Sequence, residues 1–196
     1  KAPIYLVAFT TTPWTLPGNA ALAIGKFDYL AKYDNEYQAT HIYLDQDGQR
    51  GMLVNYTDLL YKTYLPINNS VNQEQKILLG PFVKEEGTGI VHIAPMFGQD
   101  DYNLCMDEKI SMPPNYLDSK AKYKSSQEQK EMDLAAFNKF LIKDLTAKKI
   151  IIKEFPFKHS YPHCWRTDTP LIYRAVPSWF IATSKMTDKL VEKNNS

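Results

Sequence analysis

A mixed α+β domain, with a barrel-like β-sheet core and inserted helices, is the fold class this sequence predicts. Three observations carry that expectation. The first half is a series of short apolar or alternating runs separated by Pro, Gly, Asn and Asp. The second half holds one long stretch with apolar residues at helical spacing. No internal repeat is present, and strands come first with helices inserted later, which favours a curved or barrel-like sheet.

Taken in order, residues 4–9, 20–24, 29–33 and 37–44 read as strands. Asp45-Gln46-Asp47-Gly48 is a turn signal that predicts a hairpin between the runs on either side. Residues 56–64 are a helix candidate, and residues 67–75 an Asn/Gln-rich connection. Residues 76–83 and 87–94 read as two further strands around a turn at Lys84-Glu85-Glu86. Gly98-Gln99-Asp100-Asp101 has the signature of a helix start, with acids where the helix dipole favours them. Residues 111–130 are loop-like. Leu134, Phe137, Leu141 and Leu145 mark a helix within 131–149. A strand over 150–155, an aromatic His-bearing loop over 157–169 and an extended stretch over 171–181 complete the pattern. Residues 1–182 are expected to form one domain, and 183–196 a polar helix or tail. The chain begins without Met and reads as a piece of something larger.

Composition narrows the function. Of 196 residues, 44% are hydrophobic and 13% aromatic, enough for a core and against disorder. Twenty-three basic residues against 22 acidic ones leave a net charge of +1. That balance weakens a long nucleic-acid footprint, which rests on neutralising many phosphates. A small contact with the single-stranded end of an RNA remains compatible. Cys105 and Cys164 are the only cysteines, so no disulfide framework is expected and a reduced intracellular setting is the simpler reading. No apolar run approaches the roughly 20 residues needed to cross a bilayer, and no signal peptide is legible.

Three segments carry possible chemistry. Thr10-Thr11-Thr12-Pro13-Trp14-Thr15-Leu16-Pro17-Gly18-Asn19 makes a stiff loop bearing four hydroxyls, a carboxamide and an indole. Hydroxyls donate and accept, so this loop can hold a water, a ribose or a carbonyl. Local propensity alone favours the plainer reading, that the threonines finish a strand and cap a turn. Residues 87–95 form a glycine-led strand that ends in His92 and Pro95, and Asp100 and Asp101 follow. A carboxylate there could pair with an ammonium group; a structural His beside helix-capping acids is the plainer alternative. His159, His163 and Cys164 invite a metal reading, but zinc needs a further ligand or an open catalytic position, and an aromatic hydrogen-bonded loop is favoured. The lysines between 139 and 158 read as the solvated side of a helix ahead of a basic binding face.

Together these segments resemble the isoleucyl-tRNA synthetases. TTTPWTLPGNAALAI (residues 10–24) is similar to the threonine-rich signature of their editing insertion. GTGIVHIAP and GQDDY (residues 87–95 and 98–102) are similar to its second signature, and HSYPHCWRTDTPLIYRAVPSWFI (residues 159–181) to the stretch returning toward the aminoacylation domain. Valyl and leucyl editing domains resemble these but typically carry Arg after two threonines, where this chain has Thr12. Met96-Phe97-Gly98 is similar to cytosolic eukaryote-type enzymes. The ATP-site signatures HIGH and KMSKS are absent, and Ser184-Lys185-Met186-Thr187 is no substitute. Residues 67–75 and 111–130 match no motif of the family.

The resemblance implies an editing-domain fold and a hydrolase that removes valine from misacylated valyl-tRNA(Ile), and in addition valyl-adenylate. A hydrophobic pocket extracts only about 1–3 kcal/mol from one methylene, so a second, excluding site is needed; isoleucyl enzymes are the standing example of this limit, and the figure is a general one. By resemblance Asp101 binds the α-ammonium, and Thr10, Thr11 and Thr12 hold the substrate and a hydrolytic water. His92 shapes the wall against isoleucine, Asn19 supports the loop, and Trp14, Thr15 and Asp100 complete the substrate contacts. Neither a Ser/His/Asp nor a Cys/His constellation is legible, so the expected chemistry is attack by an oriented water. The implied partners are the 3′ CCA end of tRNA(Ile), the misattached valine and the rest of a synthetase chain. A cytoplasmic monomer without a membrane is expected. No metal or cofactor is expected in this segment, ATP and Mg belonging to the separate synthetic domain. A binding-only module for the tRNA end is the main rival, and an unrelated interaction domain the third reading.

Overall fold

The computed structural model describes residues 2–46, 48–67, 74–118, 120–124, 131–158 and 160–195. Two four-stranded mixed sheets form its body. In the first, β1 (Ile4–Leu6), β4 (Ala39–Tyr43), β3 (Asp28–Asp34) and β5 (Met52–Asn55) lie in that order. In the second the order is β6 (Thr63–Tyr64), β7 (Gln75–Leu79), β2 (Ala21–Ile24) and β8 (Ile90–Ile93). A two-stranded ribbon joins β9 (Tyr123–Lys124) to β10 (Glu131–Met132). The helices are α1 (Tyr56–Leu59), α2 (Gln99–Asp107), α3 (Leu134–Ala147) and α4 (Thr187–Asn194). The α+β class holds. The sheet is divided in two instead of closing into a barrel; a Phe9–Val91 bridge and a hydrogen bond from Leu44 N–H to the Thr88 carbonyl (2.8 Å) stitch the halves together at β8.

β2 is the axis of the molecule. All four of its residues are buried, because it pairs in parallel with β7 on one side and antiparallel with β8 on the other. Alternation then sorts its side chains by face. Leu22 and Ile24, with Ile77 and Ile90, pack against Tyr29, Ala31, Ile42 and Leu44 of the first sheet. Ala21 and Ala23, with Leu78 and Ile93, pack against Leu104 and Cys105 of α2. Small alanines on the second face let that helix approach closely. Each fully buried Ile or Leu contributes about 1.5–3 kcal/mol, so a strand buried on both faces anchors whatever lies at its ends.

Several expectations change. The residues flanking Asp45-Gln46-Asp47-Gly48 do not pair, since β4 and β5 both flank β3. The hairpin is β3–β4 instead. There Asp34 Oδ1 accepts from the Glu36 and Tyr37 N–H groups (2.8 and 3.3 Å), an Asx-type turn that closes it. Likewise β7 and β8 are separated by β2. Residues 56–64 split into the single turn of α1 and the short β6. Residues 150–155 form no strand: after α3, Lys149 turns at φ +54°, and the segment runs exposed apart from Ile151, whose carbonyl accepts from the Tyr37 hydroxyl (3.1 Å). Residues 171–181 form no strand; Leu171 N–H donates to the Pro162 carbonyl (3.0 Å) and Ala175 N–H to the Met96 carbonyl (2.7 Å). Trp165, Trp179 and Phe180 stand almost wholly in solvent, and α4 buries no residue. Parts of 67–75 and 111–130, and His159, lie outside the described residues.

Gly89 shows how tightly the sheets are joined. Its φ is +64°, and a Cβ there would meet Leu44 Cβ at 2.8 Å; Gly87 also has positive φ (+59°) but only ordinary contacts at 3.5 Å. Gly89→Ala is expected to cost about 2–3 kcal/mol and Gly87→Ala about 1 kcal/mol, read as urea unfolding midpoints. Equal costs would show that backbone strain alone, and not the β8–β4 contact, governs the position.

Candidate active site

The chain leaves β1, is caught by the Phe9–Val91 bridge, and delivers Thr10, Thr11 and Thr12 beside the edge of β8. Pro13 then starts a short 3-10 turn, Pro13–Gly18, as a proline does well at a first helical position. Inside this loop Thr12 N–H donates to Thr10 Oγ1 (3.1 Å), and the Thr15 N–H and hydroxyl both donate to the Thr12 carbonyl (3.0 and 2.9 Å). The loop is thus closed on itself before it touches anything else.

An aromatic column braces it from outside. Trp14 meets Phe97 edge-on (5.1 Å), Phe97 meets Tyr116 (5.3 Å), Tyr116 meets Tyr123 (5.7 Å), and Tyr123 stacks on Phe137 of α3 (3.7 Å, 9°). The Tyr116 hydroxyl lies 3.1 and 3.2 Å from the Trp14 and Thr15 carbonyls. Gly18 leaves room for this, since a Cβ there would sit 3.2 Å from the Tyr116 ring.

Phe9, Thr10, Thr11, Thr12, Thr15, Val91, His92, Ala94, Phe97, Gly98 and Asp101 line one cleft of about 380 Å³. Asp101 comes from the first turn of α2, and its Oδ2 accepts from the Ala94 N–H (2.8 Å), tying the exit of β8 to the helix. Gly98, the N-cap, sits against that carboxylate so closely that a Cβ would meet it at 2.8 Å. Burial raises the Asp101 pKa above its ordinary value, partly offset by the Ala94 hydrogen bond. A carboxylate held in a poorly solvated place is a strong partner for an incoming cation. His92 is buried, and both ring nitrogens are engaged: Nδ1 with Asn19 Nδ2 (2.7 Å) and Nε2 with Thr15 Oγ1 (3.2 Å). Burial pushes its pKa down to about 4, so it is neutral at pH 7.

The structure therefore gathers Thr10, Thr11, Thr12, Thr15, His92 and Asp101 around one space. Asn19 sits behind His92, Trp14 serves the aromatic brace, and Asp100 is exposed outside the cleft lining. Sequence reasoning missed Phe9, Val91 and Phe97 as walls, and Tyr64 and Gln75 behind Asn19; long-range register, absent from any local motif, brings these together. Cys105, one helical turn beyond Asp101, is buried with its thiol pushed up to about 11 by burial, unsuited to nucleophilic attack. Among the described residues no group of three or more His, Cys, Asp or Glu is arranged to hold a metal ion. Among them, too, no helix is long and apolar enough to cross a membrane.

Comparison with known proteins gives a consistent pattern. No family model matches the chain. It is 38% identical over 220 residues to the isoleucine–tRNA ligase of Ehrlichia canis, covering 97% of this chain and 20% of that protein. Against the isoleucine–tRNA ligase of Clostridium tetani it is 37% identical over 211 residues, with the same coverages of 97% and 20%. The chain thus spans about a fifth of the length of these relatives. Its fold matches the CP1 segment of a leucyl-tRNA synthetase (TM-score 0.62, 18% identity, 79% of this chain and 85% of that one). It also matches the cytosolic leucyl-tRNA synthetase editing domain of P. knowlesi (TM-score 0.56, 13% identity, 88% and 84%).

The depressed His92 pKa has a signed consequence for stability. Between about pH 6.5 and 4 the unfolded chain binds a proton on this residue that the folded chain refuses, so stability is lost as pH falls through that window. The loss is roughly 3 kcal/mol. The raised Asp101 pKa acts with the opposite sign at acid pH, so the clean readout is the difference between the wild type and His92→Gln in urea melts at pH 7 and 4.5. An unchanged difference would show that His92 is not buried neutral.

Proposed function

We propose that this chain, which matches a segment of isoleucine–tRNA ligases and has the fold of leucyl-tRNA synthetase editing domains, is an editing domain of a class I aminoacyl-tRNA synthetase that hydrolyses valine from misacylated valyl-tRNA(Ile). The observation that carries this reading is the convergence of three threonines, one neutral imidazole and one poorly solvated carboxylate on a single cleft. Asp101 is the group to receive the α-ammonium of the aminoacyl ester, by a charge-assisted hydrogen bond. Thr10, Thr11 and Thr12 offer donors and acceptors for the ester carbonyl and for a water. That water forms the new C–O bond, the ester C–O bond breaks, and the terminal ribose oxygen leaves with a proton, giving free valine and uncharged tRNA.

His92 is poorly placed to be the base, because both of its nitrogens are engaged within the protein. Its buried ring serves instead as a wall that limits side-chain size. Rate then comes from orientation and polar stabilisation of the developing oxyanion, not from a covalent intermediate. Valyl-adenylate carries the same α-ammonium and an activated carbonyl, and is a second substrate for the same groups. The ligand would be the 3′ CCA end of tRNA(Ile), consistent with the small net charge. Residues 1–182 form the editing unit and 183–196 lead toward the rest of the synthetase chain, which would cover Trp165, Trp179 and Phe180. The assembly acts as a cytoplasmic monomer, with ATP and Mg used only in the synthetic domain.

A valyl ester of adenosine tests the chemistry directly, without relying on tRNA affinity. Asp101→Asn should abolish its hydrolysis while leaving the urea midpoint unchanged or higher, because the amide still accepts from Ala94 and no buried charge remains. Full activity in that variant would remove Asp101 from the site. His92→Ala should admit the isoleucyl ester that the wild type refuses; continued refusal would place the excluding wall elsewhere.

A further inference from the structure

Behind the cleft, a directional hydrogen-bond chain runs from the edge of the second sheet to the threonine loop. Asn19 Nδ2 faces the Ala21 carbonyl (2.8 Å) and the Ile93 carbonyl (3.5 Å). Carbonyl oxygens only accept, so the amide nitrogen must be the atom on that side. The same nitrogen lies 2.7 Å from His92 Nδ1. An amide N–H cannot accept, so Nδ1 is the unprotonated nitrogen and Nε2 carries the hydrogen. Nε2–H then donates to Thr15 Oγ1, and the Thr15 hydroxyl hydrogen goes on to the Thr12 carbonyl.

What holds Asn19 is a pair of residues on the edge strand β6 and its neighbour β7. The Tyr64 hydroxyl donates toward Asn19 Oδ1 (2.5 Å) and lies 2.7 Å from Gln75 Oε1. Gln75 Nε2 donates to the Asn19 backbone carbonyl (2.9 Å). Tyr64 and Gln75 are direct partners in the β6–β7 ladder, so one register delivers both to the same asparagine. Tyr64 is half-buried, and burial raises its pKa, so it remains a neutral donor across the working range.

We propose that Tyr64 and Gln75 are positioning residues that lock Asn19, and through it hold His92 as a rigid neutral Nε2–H imidazole, setting how strictly the cleft refuses a side chain one methylene larger. Selectivity for size needs a wall that does not give, and an imidazole fixed at both nitrogens has no rotamer freedom left to yield. Breaking the chain at Tyr64 removes the single hydroxyl hydrogen that Asn19 Oδ1 accepts, and leaves that amide oxygen without its donor. The ring would then be held less firmly although no atom lining the cleft has changed.

The functional half of this inference rests on the editing reading; the tautomer half does not. The test is Tyr64→Phe and Gln75→Ala in this chain, with thermal melts to establish that each folds. Nitrogen-15 NMR of wild-type His92 should show Nδ1 bare and Nε2 protonated, and Tyr64→Phe should show averaging between tautomers. The ratio of isoleucyl to valyl adenosine ester hydrolysis should rise on the order of ten-fold in either variant. Asn19→Asp supplies a second test, since a carboxylate there accepts from Nδ1 and should invert the pattern. A wild-type Nδ1–H tautomer, or variants that fold with wild-type spectra and wild-type ester ratio, would overturn the proposal. Hydrolysis of neither ester by the wild type would sink the editing reading, while the nitrogen-15 pattern would still uphold or overturn the relay.

Discussion

The antiparallel register of β2 against β8 is the constraint on which the rest of this structure depends. Leu22 sits opposite His92 and Ala21 opposite Ile93, with Ala20 N–H bonded to the Ile93 carbonyl (2.9 Å). That pairing carries Asn19, just before β2, to the side of His92 near the end of β8. Because side chains alternate along a strand, a slip of one residue would turn His92 to the α2 face and dismantle the cleft. The burial of β2 on both faces makes such a slip costly. Core packing and site geometry are thus two consequences of one ladder.

Around that ladder the protein separates what is rigid from what is strained. The aromatic column from Trp14 to Phe137 and the hydroxyl of Tyr116 hold the threonine loop by its outer surface, while Thr10, Thr11, Thr12 and Thr15 line the cleft. Asp101 is on the other side of the balance: its carboxylate is desolvated beside Gly98 and relieved by the Ala94 backbone N–H. A site that binds a cation gains from this, because the incoming charge meets an anion that water has only partly screened.

A local pattern served well where it was strong and failed where pairing was a choice among strands. The α2 start at Gly98 and α3 across Leu134, Phe137, Leu141 and Leu145 were legible because capping and helical periodicity act within a few residues. Most strands were found for the same reason. Their partners were not: the turn signal at residues 45–48 implied a β4–β5 hairpin, yet β3 lies between them because the Asp34 turn closes a competing pair. The apolar run at 150–155 had strand composition, yet it pairs with no strand among the described residues.

The candidate site divides along the same line. By itself the sequence determined the chemical groups and their order: hydroxyls on a proline-stiffened loop, a histidine ending a strand, an acid opening a helix, and motifs that resemble those of isoleucyl-tRNA synthetases. Composition alone had favoured capping and structural roles for those same residues. Only the tertiary structure decided that they face one cleft, that Trp14 and Asp100 stand apart from it, and that His92 is neutral behind Asn19, Tyr64 and Gln75. The reason is physical: residue types set which hydrogen bonds and charges are available, but burial and donor direction arise only when strands distant in sequence meet in register.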